Sequence, residues 1–531
     1  MAVRDELALP TDYDEIPYPV LCYTQTHPDR LATCASLLGL PVPDVEHCRV
    51  LELGCASGGN LLPMAEALPG STFVGVDLSA HQIQEASQAV TSLRLSNIAF
   101  LAMDLCEITP ALGTFDYIIA HGVYSWVPPV VRDALLRVCS ANLATAGVAY
   151  ISYNTYPGWH MLSGLREMML YHMRAERDPH RRAELGRELV ALLARAVHDE
   201  RNQAYGTFME SYRELLDKQA EDARPQIDSV ILHDELAEWN DPVYFWQFAE
   251  HAGQHGLQFL VEADFPMSMP DNLSAETFGS LQEVCETIVD TEQYMDFVRN
   301  RAFRRTLLCH SDATLDRTLR SSRVQSMAVA TRAQRVPPQA PDDGIARFAS
   351  PDGALFQTDD AVTIAALDHL AAIAPSAIPF GRLVDEAASR QGTSSLEPAD
   401  ARRLAANLLK AFSYSVSLVE LHAWAPPVVS AVSEHPRASA YARYLARSSD
   451  RVPNLRHERV HLDPLARYVL PQLDGSHTRD DIAAQLDALL NSGALRYTDG
   501  SESGEADPAI RLRRDLDATL SWVARASLLV A

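Results

Sequence analysis

Val50-Leu51-Glu52-Leu53-Gly54-Cys55-Ala56-Ser57-Gly58-Gly59-Asn60 decides how the first third of this chain folds. A β-rich apolar run enters a glycine-rich turn, and a helical stretch follows. Gly54 and Gly58 permit the unusual dihedrals of such a turn and a close approach of ligand to backbone, while the N–H groups opening the next helix favour an anionic group. Ala56 stands where such loops commonly carry a middle glycine. Alone, this loop fits a dinucleotide as well as any other nucleotide-like cofactor.

Outward from the loop, short apolar runs at 49–53, 72–76, 98–102, 115–120 and 147–153 alternate with helical stretches. That pattern predicts a parallel α/β sheet of βαβ units with ligands at the strand ends. The second run ends in Asp77-Leu78, an acid placed to accept two ribose hydroxyls. The third ends in Met103-Asp104-Leu105, a carboxylate for an adenine amino group between two apolar faces. The fourth opens onto His121-Gly122-Val123. Each acid taken singly also fits a helix N-cap. Four strand ends in register predict S-adenosylmethionine (SAM), held by Glu52, Gly54, Cys55, Ala56, Gly58, Asn60, Asp77, Leu78, Met103, Asp104, Leu105, His121 and Gly122.

The remaining sequence divides by composition. Residues 1–44 form an arm or lid, 45–157 the first part of the cofactor core, and 158–235 an Arg/Glu/Ala/Leu-rich helical insertion. The segment 236–310 supplies a strand near 257–261, a helix over 291–303 and a strand over 305–309, completing a seven-stranded sheet. Residues 311–343 are polar and then Pro-rich, a linker signature. Two weakly repeated, mostly α modules of winged-helix type follow, 344–430 and 431–531, joined by a Ser/Arg-rich segment near 447–458. The loop Asp499 to Glu505 has a disordered composition.

A formal net charge of −25 over 531 residues repels nucleic acid, whose binders usually show a basic face, so no nucleic-acid partner is expected. No long apolar run predicts membrane insertion, and the acidic N-terminus lacks signal-peptide character, which predicts a cytoplasmic protein. The eight scattered cysteines are expected to be reduced. No metal-ligating cluster is predicted from the cysteines or histidines.

The strings Tyr13-Asp14-Glu15-Ile16-Pro17-Tyr18, His27-Pro28-Asp29-Arg30-Leu31-Ala32, the 51–60 loop, His121-Gly122-Val123-Tyr124-Ser125-Trp126-Val127-Pro128, Ser152-Tyr153-Asn154-Thr155-Tyr156-Pro157-Gly158-Trp159, Asn240-Asp241-Pro242-Val243-Tyr244-Phe245 and Phe303-Arg304-Arg305-Thr306-Leu307-Leu308-Cys309-His310 resemble bacterial class I SAM-dependent methyltransferases that carry a methyltransferase regulatory domain. Within that family they are most similar to the lysine methyltransferases of outer-membrane proteins. The resemblance is strong over about 1–310. It implies transfer of a methyl group to a lysine amine of a protein substrate, with the inserted helices forming a homodimer.

Under that reading Tyr13, Tyr18, His121, Tyr124, Trp126 and Asn154 are the candidate catalytic residues. The aromatic groups, with Tyr153 and Trp159, would line a channel that desolvates the amine. His121 would relay a proton or touch the cofactor, and Asn154 would orient the acceptor. Two other functions fit the same cofactor site: a small-molecule or natural-product methyltransferase, and a non-catalytic SAM-binding regulatory protein.

Overall fold

Between Arg49 and Asn154 the apolar runs become five parallel strands, the central ones buried on both faces, which leaves their ends as the place for polar side chains. The computed structural model describes residues 20–197, 202–222, 227–337, 344–492 and 508–530. Tyr13, Tyr18, residues 1–19 of the proposed arm and the 499–505 loop lie outside the described residues.

The strands are β1 (Arg49–Leu53), β2 (Thr72–Asp77), β3 (Ile98–Ala102), β4 (Phe115–Ala120), β5 (Leu143–Asn154), β6 (Leu257–Glu262) and β7 (Phe303–His310). They form one sheet in the order β3-β2-β1-β4-β5-β7-β6. β7 runs antiparallel to both β5 and β6. This is the seven-stranded α/β sheet expected from the sequence. Its strand order reverses between β1 and β4, which places a ligand crevice at their carboxyl ends.

The helix before β7 spans Ile288–Arg299, three residues earlier than the sequence pattern predicts at its start and four at its end. Asn300 stops it in the left-handed conformation (φ 47°), a geometry asparagine tolerates well, and the chain enters β7 two residues earlier than predicted.

A buried charge cluster ties β6 and β7 to that helix. Arg304, fully buried on β7, donates to Glu262 Oε1 at 2.8 Å, Glu292 Oε2 at 2.8 Å and Asp296 Oδ2 at 2.9 Å. Its guanidinium carbon also lies 3.9 Å from the ring centre of Phe245. Three carboxylates and one aromatic face thus surround a single cation, with Arg301 Nε 3.2 Å from Asp296 Oδ1.

The insertion contributes helices Trp159–His172, Pro179–Ala196 and Gln203–Asp222. They bury their own core, including Leu165, Met169, Val190, Met209 and Leu216. Tyr171, Leu192 and Leu215 remain exposed on them.

The 311–343 segment is more than a linker. Val324 and Met327 are buried, and Ala328–Ala330 is the central strand of a three-stranded sheet with Ile378–Pro379 and Glu420–His422. That sheet and helices Ala361–Ile373, Phe380–Arg390 and Pro398–Tyr414 share one apolar core with the face of the main sheet that carries Val50, Tyr117 and Tyr150. The last unit packs separately around Leu470, Ile482, Leu486, Leu520 and Val523. Among the described residues, no helix is long and apolar enough to cross a membrane.

Candidate active site

Glu52, on β1, faces the glycine turn from a buried position. Its Oε1 accepts from Asn60 Nδ2 at 2.7 Å, whereas Oε2 has no hydrogen-bond partner among the described residues. Burial pushes its pKa up to about 8, with the Asn60 hydrogen bond opposing and Asp77 adding to the rise. The turn itself uses left-handed backbone at Gly54 (φ 75°), Ala56 (φ 48°) and Gly58 (φ 78°). Ala56 adopts that conformation against the roughly 1–2 kcal/mol preference of L-residues for the right-handed one. Its N–H donates to Asp77 Oδ2 at 2.8 Å, and the N–H of Ser79 donates to Asp77 Oδ1 at 2.9 Å. The Asp77 carboxylate is therefore braced by backbone N–H groups on both sides of the crevice.

Leu78 follows Asp77 and is 60% exposed, an apolar side chain without cover. Across the crevice, Met103 and Leu105 flank Asp104, whose Oδ1 accepts from the N–H of Cys106 at 2.8 Å and so caps a short helical turn. Cys55 is buried, and burial raises its thiol pKa well above the ordinary value, so it packs as a small apolar group. Gly122 (φ 69°) donates to Ser152 Oγ at 2.8 Å and has open space where a Cβ would stand. An orphaned acid oxygen, a braced carboxylate and an uncovered apolar face form a donor set that fits SAM.

His121 lies under Tyr23, with ring centres 3.7 Å apart, and its Nδ1 is 2.9 Å from Tyr150 Oη. Burial, aided by the Arg305 charge, lowers its pKa to about 3, so the ring is neutral at ordinary pH. Asn154 is buried at the end of β5, where its Nδ2 donates to Asn240 Oδ1 at 3.0 Å. Trp126 is partly buried, with its indole N–H 3.4 Å from the Asp234 carbonyl.

Tyr124 does not line an open channel. It is buried, edge-on to Phe248 at 5.1 Å, with its hydroxyl 2.9 Å from His251 Nδ1. Tyr153 is fully buried as well, stacked on Phe248 at 4.1 Å, and Trp159 is buried beside it in sequence. Both faces of the sheet need apolar cover, and these rings supply it on the β4–β5 side. The accessible rings are Tyr156, His160 and Tyr244 instead: Tyr156 stacks on His160 at 4.1 Å, and His160 Nε2 lies 2.9 Å from Tyr244 Oη.

The expectation of no histidine cluster is also corrected. His251 and His255, four apart at the end of one helix, meet Asp133 on another, with all three ligand atoms within 4.8 Å of one another. The His-x-x-x-His spacing is visible in the sequence, whereas Asp133 is not adjacent to it until the chain folds.

Several residues at the cofactor loop carry no sequence signal for it. Asn60 Oδ1 accepts from the Tyr23 N–H at 3.0 Å and lies 2.8 Å from His457 Nε2. His457 sits at the tip of a hairpin formed by Arg451–Pro453 and Arg459–His461, and Thr24 Oγ1 donates to its carbonyl at 2.9 Å. The Ser/Arg-rich joining segment is thus packed against Asn60 at the glycine turn.

Beside it, a small cavity is lined by Asp29, Arg332, Glu420, His422 and Arg456. His422 Nδ1 lies 2.7 Å from Asp29 Oδ2 and its Nε2 3.3 Å from Glu420 Oε2, and these partners outweigh burial and raise its pKa to about 9. The folded pKa exceeds the ordinary 6.5, so the stability it contributes is fully present below pH 6.5 and lost as pH rises through about 9. Melting curves across that window should fall by several degrees in the wild-type protein and stay nearly flat in His422→Gln. Equal pH dependence in both would assign the effect to other groups.

Three family models match the chain. A methyltransferase domain matches residues 50–147, a predicted methyltransferase regulatory domain 227–310, and the PKMT C-terminal winged helix domain 434–528. An uncharacterised protein of Rickettsia prowazekii is 41% identical over 317 residues, 60% of this chain and 56% of that relative. A second uncharacterised protein of the same organism is 36% identical over 248 residues, 47% of this chain and 96% of that relative. The chain therefore spans little more than half of the first relative's length. The structure of PKMT2 from Rickettsia typhi in complex with AdoHcy superposes with a TM-score of 0.84 at 28% identity, covering 97% of this chain and 100% of that one.

Proposed function

Because the chain belongs to the class I SAM-dependent methyltransferases that carry a methyltransferase regulatory domain, we propose that it transfers a methyl group from SAM to the side-chain amine of lysine in a protein substrate, an outer-membrane protein being the leading candidate. The observation that carries this reading is the near full-length likeness to PKMT2, which extends through the winged-helix unit and so beyond the cofactor core.

In this reading Glu52 Oε2 and the turn Gly54–Gly58 hold the methionyl end of the cofactor, Asp77 the ribose hydroxyls, and Leu78, Met103, Asp104 and Leu105 the adenine. Bound SAM supplies an electrophilic methyl carbon. The chain's part is to align the amine for in-line displacement, which is mostly a matter of positioning. A free lysine has a pKa near 10.4 and must shed its proton first. His121, with a pKa of about 3, is too weak a base to hold that proton at neutral pH, so its role is to wall the pocket as a neutral ring. Desolvation of the amine against Tyr23 and His121 lowers its pKa and releases the proton to solvent. Asn154, whose Nδ2 donates to Asn240 Oδ1, orients the acceptor amine, and Trp126 borders the loop after β4. The Tyr156, His160 and Tyr244 rings line the approach of the polypeptide. The inserted helices, with Tyr171, Leu192 and Leu215 exposed, form a homodimer contact in a cytoplasmic protein.

Purified protein supplied with methyl-labelled SAM, a lysine-rich outer-membrane protein and a panel of small amines should place label on protein lysine. Label on small amines alone would sink the protein-lysine reading. Binding of SAM without any transfer would favour a regulatory SAM-binding protein.

A further inference from the structure

We propose that Asp133, His251 and His255 form a divalent metal site, with zinc as the fitting ion, that clips the cofactor core to the regulatory segment. Asp133 belongs to helix Pro129–Asn142, which covers β4 and β5, and His251 to helix Phe245–Gln254, with His255 as its C-terminal cap. His255 Nε2 lies 2.9 Å from Asp133 Oδ1 and His251 Nε2 lies 3.6 Å from the same oxygen. Atoms bound tetrahedrally to zinc at about 2.0–2.1 Å are separated by about 3.3 Å, so these two distances bracket the required one. Two imidazoles and a carboxylate leave one position for water, a donor set suited to zinc and neighbouring late transition metals.

The outer contacts fit as well. His251 Nδ1 lies 2.9 Å from the hydroxyl of buried Tyr124, which holds the ring in place while Nε2 faces Asp133. The nearby cation, Arg132, is engaged by Asp241 at 2.6 Å, so its charge is partly offset. The histidine side chains are 24% and 17% exposed and that of Asp133 is 60% exposed, which gives an ion access from solvent. Ion pairing with protonated histidine accounts for both contacts to Asp133 Oδ1, and a bound ion would replace that pairing.

The test uses the full-length protein, stripped with a chelator and titrated with zinc against a chromophoric competitor. One zinc per chain should bind with micromolar or tighter affinity and raise Tm. His251→Gln, His255→Gln and Asp133→Asn should each weaken binding at least about tenfold, and Tyr124→Phe by about tenfold through the lost contact to Nδ1. Cobalt substituted for zinc should give visible bands of a four- or five-coordinate N/O site that disappear in His255→Gln. Affinity weaker than the millimolar range, or equal zinc binding in wild type and all three ligand variants, would overturn the proposal. Asp133→Asn lies on the exposed side, so its apo Tm distinguishes loss of metal from loss of fold.

Discussion

Replacing Arg304 with methionine is expected to leave the catalytic sheet incomplete, with little or no soluble protein, or a Tm lower by about 10 °C. The substitution keeps volume and apolar contact with Phe245 but removes the cation shared by Glu262, Glu292 and Asp296. Breaking a buried pair by deleting one partner costs about 3–5 kcal/mol, and here three carboxylates lose their main counter-charge at once. Domains hold only about 5–15 kcal/mol in total. Arg301 remains near Glu292 and Asp296 but is too far from the centre to replace three direct contacts. Thermal melting and soluble yield measure the outcome. A Tm within a degree or two of wild type would show that the carboxylates protonate cheaply in place. Arg304→Lys should fall between, retaining the charge without the forked geometry.

The second large effect is expected at Gly58. A Cβ there would sit 2.5 Å from Phe100 Cζ and 2.9 Å from Cε1, on backbone with φ +78°. Phe100 lies on β3 and fills the space beside Gly75 too, so its ring has little freedom to retreat. Gly58→Ala should weaken SAM binding by about 100-fold, equivalent to roughly 2.7 kcal/mol. Circular dichroism should stay near wild type, because the clash involves the turn and one ring on the edge strand. Ala56→Gly is the opposite control: relief of a left-handed alanine should preserve or tighten binding. Unchanged affinity in Gly58→Ala would mean that the turn does not hold the cofactor.

The sequence and the structure agree best where a residue announces its own environment. β1 to β4 are legible because each apolar run ends in a marked group: the glycine turn, Asp77, Asp104 and His121. The late strands are found to within two residues, but Asn300 hides the end of the preceding helix, since nothing local requires an asparagine to turn left-handed. Ala328–Ala330 escapes notice because three small residues make a strand only when two distant partners pair with them. Tyr124 and Tyr153 illustrate another limit. An aromatic residue at a strand end can face ligand or core, and the choice depends on Phe248, which arrives from the far side of the insertion. His251 and His255 were readable by spacing alone, but their meaning waits on Asp133. His457 carries no local signal at all, because its only link to Asn60 is a folded contact across 397 positions.

That last contact has a consequence in time. A ribosome adding roughly 5–20 residues per second needs about 20–80 seconds to travel from Asn60 to His457. Throughout that interval the glycine turn can form, yet the wall that meets Asn60 has not been synthesised. The surroundings of Asn60 are therefore among the first parts of the protein to be encoded and among the last to be finished.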